Sequence, residues 1–281
     1  MAILTASYSW PRYAALAWLS LLLLLAVLAP VLPLPFQPGV PDLAAIAQPP
    51  FTHGHHWLGT DPQGLDVLTQ LVYGARTAVL LTLPAAVLAA GLGALAGSAA
   101  GFWGNSIRLT GTAVRLPIDM LVLGLATLLD TIPRLVLVVA IAASAGLSGP
   151  GLLLLLALST WPQSARLVRA QMLRVSRLPF VEAAQAAGLP PARIWWRHAL
   201  PHAIQPLRAA FPLSLAGLLG LESTLSFLGV GLPPDVASWG RLLAGIRNEP
   251  SAWWAAVFPI LCLMASILSL QLMSYEQPSD S

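Results

Sequence analysis

Residues 77–102 read TAVLLTLPAAVLAAGLGALAGSAAGF, a run with no charged side chain. A bilayer core needs roughly 20 apolar residues in helical form to cross it. Lipid offers no partner to a free backbone amide, so such a run is stable in a membrane only as a helix; Pro84 is compatible, because packed membrane helices tolerate proline. Five further runs of this kind flank it, at about 13–34, 118–145, 151–167, 204–223 and 253–272. Ser148-Gly149-Pro150 is a turn signal, so the third and fourth runs form a hairpin. The expected fold is an all-α integral membrane protein of six transmembrane helices, one membrane domain over 13–273. A cleavable signal is the rival reading of the first run, but Pro30 follows Val27-Leu28-Ala29 directly, and the run exceeds a signal core of about 7–15 residues.

Composition agrees, with 57% of the 281 residues hydrophobic and 9% charged, against about a quarter charged in soluble domains. All 14 basic residues are arginines. Without lysine there is no Walker A phosphate loop, so ATP is not hydrolysed by a standard P-loop of this chain. The net charge of +3 does not form a basic face with stacking aromatics, so nucleic acid is not an expected partner. Short loops rich in arginine stay cytoplasmic. Arg12, Arg108, Arg115, Arg166, Arg169, Arg174, Arg177, Arg193, Arg197 and Arg208 then lie inside, and only Arg76, Arg241 and Arg247 outside. This orientation makes residues 1–12 and 274–281 cytoplasmic and puts loops at about 34–73 and 224–252 outside.

Little in the chain points to catalysis. Cys262 is the single cysteine, which excludes an internal disulfide or a cysteine metal cluster. His53, His55 and His56 cluster on the outer loop, but no HExxH spacing occurs and no metal site is expected. No Gly-x-Ser-x-Gly elbow is present, so no catalytic residue and no resident cofactor are assigned. Asp130 and Arg134 stand four apart within the third run, where a helix would let them neutralise each other. Intramembrane charge marks functional sites, so Asp130, Arg134, Glu222 and Ser223 are the candidates for a polar path.

The arginine-rich inner segment, about 169–203, is too long for a turn. Within it Phe180-Val181-Glu182-Ala183-Ala184-Gln185-Ala186-Ala187-Gly188 predicts a short surface helix whose Phe180, Ala184 and Ala187 form a shallow apolar stripe suited to a groove. Gly188 and Leu189-Pro190-Pro191 end it, and a second helix is expected from about Ala192 to Ala199, before Leu200-Pro201.

These residues resemble the signature of ABC-importer permeases, carried here by Glu182-Ala183-Ala184, Gly188 and Leu200-Pro201. His198, two before the Leu-Pro pair, is similar to the residue common in dipeptide, oligopeptide and nickel permeases. His56-Trp57-Leu58-Gly59-Thr60-Asp61 with Gly64, Asp66 and Val67, and Leu225-Ser226-Phe227-Leu228-Gly229-Val230-Gly231 with Ser238-Trp239-Gly240, also look like that subgroup. The resemblance covers the chain from about His56 to the last span. It departs at Thr127, where the family has an acidic residue, in a longer inner loop at about 105–117, and in lacking a Gly-Asp tail.

The resemblance implies a type I ABC-importer permease fold in a bacterial inner membrane. Its coupling helix would involve Glu182, Ala183, Ala184, Gly188, His198, Leu200 and Pro201. It further implies a second homologous permease, two ATPase subunits binding ATP and magnesium, an external solute-binding protein and surrounding lipid. Peptides are the implied cargo, with nickel or metal chelates as alternatives. A secondary transporter is the rival of another class, but inverted repeats and several buried coupling carboxylates are not evident. A membrane-embedded enzyme is the third alternative.

Overall fold

The structure is a computed structural model that describes residues 10–52, 56–104, 107–108 and 115–275. Most of the segment 1–12 expected to be cytoplasmic, His53, His55, most of the loop at 105–117 expected on the inner side, and the residues beyond Tyr275 lie outside the described residues.

The regular structure of the described chain is helical apart from one two-residue antiparallel ladder, β1 (Ile107–Arg108) with β2 (Arg115–Leu116), and an isolated bridge between Thr60 and Asp66. Helix α1 spans Trp10–Leu28. It stops short of the expected Leu34 because Pro30, Pro33 and Pro35 have no amide to continue the ladder. Helix α2 (Val67–Trp103) is 37 residues long, about 55 Å at 1.5 Å per residue, well beyond a bilayer core of about 30 Å. It begins earlier than its apolar run because Asp66 caps it. Asp66 Oδ2 accepts from the Thr69 amide and the Thr69 hydroxyl, both at 2.8 Å.

The third apolar run is not one helix. It divides into α3 (Ile118–Thr131) and α4 (Arg134–Ala145), bent by 82°. Pro133 removes an amide and holds Ile132 extended, at φ −98° and ψ 129°. Next come α5 (Gly149–Val175), α6 (Pro179–Ala186), α7 (Pro191–Arg193), a π-helix (Ile194–Ala199), α8 (Leu200–Ala203), α9 (Leu207–Phe227), α10 (Trp239–Gly245) and α11 (Trp254–Ser274). Four helices, α1, α2, α9 and α11, are long and apolar enough to cross a membrane, and the bent α3–α4 pair makes a fifth crossing if it counts as one.

The chain divides into two compact units. One comprises Met1–Ala85, Val139–Leu155 and Pro212–Ser281. There Leu22 of α1 joins Ala75, Ala78, Leu219 and Trp239 in a buried cluster, and Trp18 Nε1 donates to Ser266 Oγ at 3.1 Å. The other comprises Ala86–Val138 and Leu156–Phe211. Its α2 segment meets α5 through Gly93, Gly97 and Gly101, spaced by four along one face. A Cβ at Gly97 would stand 2.1 Å from the Ala165 carbonyl oxygen. Lipid provides no hydrophobic drive between helices, so close backbone approach at small residues supplies the packing.

Candidate functional site

Helix α6 forms where its sequence starts and stops it. Leu178 is extended (φ −80°, ψ 147°) and Pro179 takes the first helical position, where its missing amide costs nothing. At the other end Gly188 adopts φ +74°. Its amide donates to the Gln185 carbonyl at 3.0 Å and the Leu189 amide to the Ala184 carbonyl at 3.2 Å, a Schellman closure.

Val181 anchors α6. It is fully buried with Val168, Met172 and Val175 of α5 and with Ile194, Ala199 and Ala203, and Ala184 packs on the same cluster. The free face therefore differs from the expected stripe, because Ala184 is turned partly inward with Val181. Phe180, Glu182, Ala183, Ala187 and Gly188 are exposed. The Phe180 ring lies 5.2 Å from that of His202.

The helix expected at Ala192–Ala199 is mostly a π-helix. The Leu200 amide reaches back five residues to the Trp195 carbonyl, and Pro201 has no amide to offer Arg197 and crowds that carbonyl, which favours the wider turn. His198 sits in this π-turn, Leu200 packs on the α6 anchor cluster and begins α8 (Leu200–Ala203), and Pro201 follows it in the first turn. The Trp195 ring lies 4.8 Å from Trp103 and 5.4 Å from Trp196, and its buried indole N–H has no partner among the described residues. A cavity of about 460 Å³ is lined by Phe102, Ser176, Gln185, Leu189, Pro191 and Ile194.

The intramembrane charges pair otherwise than their spacing implied. Asp130 forms its ion pair with Arg166 of α5. The break at Ile132-Pro133 separates Asp130 from Arg134, so the shared helical face required for an Asp130–Arg134 pair does not exist. Arg169 adds a two-pronged contact to Asp119, with Nη2 to Oδ2 at 2.6 Å. Sequence reasoning missed Asp119, because its partner lies 50 residues away and no local spacing announces it.

Glu222, in α9, is only 2% exposed. Its Oε1 accepts from Ser226 Oγ at 2.8 Å and Ser238 Oγ at 2.9 Å, and Oε2 from Ser223 Oγ at 3.3 Å. The structure thus places both Glu222 and Ser223 in a buried serine cage, turned to one another. Gly240 is obligatory beside it, since a Cβ there would stand 2.0 Å from the Ser223 carbonyl oxygen. The next residue of α10, Arg241, donates to four carbonyls, those of Leu232, Pro233, Pro234 and Val236, at 2.6–2.8 Å. Burial lowers its pKa, and the carbonyl oxygens supply the compensating partners.

The His56 motif is a second clamp. The ring stacks on Phe36 at 4.0 Å, with Nδ1 3.0 Å from Asp66 Oδ1 and Nε2 3.4 Å from Asp42 Oδ2. Trp254 Nε1 donates to the Thr60 carbonyl at 3.0 Å. No group of three or more His, Cys, Asp or Glu among the described residues is arranged to hold a metal ion.

Residues 2–275 match the family described as the binding-protein-dependent transport system inner membrane component. The chain belongs to this family. It is accordingly an inner-membrane permease of an ABC importer. A Brucella suis protein assigned as a peptide transport system permease is 34% identical over 89% of this permease and 81% of its own length. A second B. suis protein, assigned as a peptide permease, is 31% identical over 88% of the permease and 79% of its own length. A Sinorhizobium fredii protein assigned as a peptide ABC transporter permease is 34% identical over 77% and 71%. Among solved structures, an inward-facing form of the MetNI methionine ABC transporter aligns with TM-score 0.52 and 19% identity. It covers 73% of the permease and 93% of that chain, a likeness of fold.

Proposed function

We propose that this permease moves peptides inward and that α6 is its coupling helix. It works with a second, homologous permease, two ATPase subunits that bind ATP and magnesium, and an external solute-binding protein. Six crossings are assigned to α1, α2, the α3–α4 pair, α5, α9 and α11, with both termini and α6 in the cytoplasm, as the arginine distribution requires. The peptide cargo follows the relatives assigned to peptide transport.

The observation that carries the coupling role is the mounting of α6. An exposed Glu182-Ala183 face is joined through Val181 to α5 and to the π-helix by one buried cluster. A force on that face reaches α5 without a flexible link, as a lever between ATP-driven closure and the spans demands. ATP binding then shifts the population between inward- and outward-facing states.

Uptake of labelled dipeptide and of nickel, in cells with and without the gene and with an ATPase-dead partner, tests the cargo. Dipeptide uptake lost in both settings supports the reading, and loss of nickel uptake alone replaces the cargo. Retention of the ATPase on the purified permease tests the lever, since replacing Glu182 or Gly188 should abolish uptake while leaving membrane insertion intact. Normal uptake by those variants removes the coupling role.

A further inference from the structure

We propose that the cleft beside the first turns of α2 is a recognition site for short zwitterionic peptides, with Arg76 receiving the terminal carboxylate and Asp235 the terminal ammonium. This rests on the peptide reading above.

The cleft measures about 520 Å³, within the range of about 300–1,000 Å³ for small-ligand sites. Tyr73, Arg76 and Thr77 line it from α2, and their spacing of three and four puts them on one helical face. Another wall is the stretch 232–237, which carries Asp235. Arg76 and Asp235 are the charged residues of a lining that is otherwise mostly apolar.

The walls are fixed before any ligand arrives. Arg241 holds 232–236 through four carbonyls. A Cβ on Gly39 would stand 2.9 Å from the Asp235 carbonyl oxygen, so that loop is seated tightly against the wall. Arg76 is itself positioned, because Nη1 donates to the Ala26 carbonyl in the last turn of α1 at 2.9 Å. A guanidinium has five donors in a planar fork. Among the described residues only this one bond uses them, and neither Arg76 nor Asp235 forms a salt bridge.

A preorganised cleft whose guanidinium and carboxylate form no salt bridge among the described residues, Asp235 feeling the charge of Arg241 without contacting it, suits a ligand bearing both charges. The Arg76 fork matches a carboxylate with two parallel bonds. A bare divalent cation would meet a single carboxylate and a repelling guanidinium, so this cleft favours peptide over nickel.

The test is equilibrium binding to the assembled transporter in nanodiscs without its external binding protein. The probes are labelled alanyl-alanine, its C-terminal amide and its N-acetyl derivative. The wild type should bind the free peptide roughly ten-fold or more tightly than either blocked form, the value of one charge-assisted hydrogen bond. Arg76→Gln should erase the preference for the free carboxylate, and Arg76→Lys should retain part of it. Asp235→Asn, at an exposed position, should erase the preference for the free ammonium. Equal wild-type affinity for free and blocked peptides overturns the site, as does unchanged discrimination in both variants, in a preparation that transports the peptide. Failure of the wild type to take up peptide in cells overturns the peptide reading and the site with it.

Discussion

Glu222 and Ser238, sixteen residues apart, are joined by a 2.9 Å hydrogen bond that ties α9 to the residue preceding α10. Ser226 shares the same carboxylate oxygen at 2.8 Å. Glu222→Ala leaves these hydroxyls buried without their acceptor, at about 1–3 kcal/mol for an orphaned buried group. Glu222→Gln keeps an acceptor oxygen and should lose less. Thermal unfolding of the two variants in detergent gives the order, and equal losses would mean that the cage does not hold α10.

The glycine face of α2 predicts a contrast between close neighbours. Gly97→Ala drives a methyl into the Ala165 backbone, whereas Gly91 has nothing within 4 Å of its would-be Cβ. Overpacking of this kind costs about 1–3 kcal/mol. Gly97→Ala should therefore lower the unfolding temperature and Gly91→Ala should not, as differential scanning fluorimetry can check.

Asp119 and Arg169 are each about one-quarter exposed. Solvent screens such a pair, so a double-mutant cycle with Asp119→Asn and Arg169→Gln should return a coupling of about 1 kcal/mol or less. A much larger coupling would place the pair in an environment drier than its exposure implies.

Gly188 has no heavy atom within 4 Å of a would-be Cβ, yet its φ is +74°. Its substitution cost is thus one of backbone conformation and not of space. Gly188→Ala should lose about 1 kcal/mol. Gly188→Asn, which accepts the left-handed region more readily, should lose less. Unfolding measurements separate the two, and equal losses would exclude the backbone explanation.

Burial raises the Asp61 pKa above the 3.8 of a free side chain, with hydrogen bonds from the Leu65, Gln63 and Gly64 amides partly offsetting it. The folded state then holds more proton than the unfolded state in the window just above 3.8, so stability falls as pH rises through that window. Asp61→Asn keeps an oxygen for the 2.8 Å bonds from the Gln63 and Leu65 amides. It should flatten this part of a stability-versus-pH curve, and an unchanged slope would assign the dependence to another group.

Much of the helical layout could be read in the sequence because apolar runs, prolines and glycines act locally. Pro179 and Gly188 bracket α6 through the backbone geometry of their own positions, and the Glu182-Ala183-Ala184 stretch was found within it. The 82° break was signalled by Pro133 but hidden by the continuous apolar run around it. Asp130 misled because spacing within one segment suggested Arg134, while its partner Arg166 belongs to another helix. The π-helix lacked a signal of comparable strength, since a five-residue hydrogen-bond register depends on what Pro201 cannot donate more than on the residues Ile194–Ala199. The serine cage of Glu222 needed Ser238, which only the folded chain brings to it.

The Arg241 fan grips the backbone of residues 232–236 by carbonyl oxygens, which every residue type possesses. The shape of that stretch is thereby uncoupled from its side chains. Descendants of this permease can exchange Asp235 or Val236, which line the cleft, and so revise what it accepts, while a single arginine keeps the architecture that presents them.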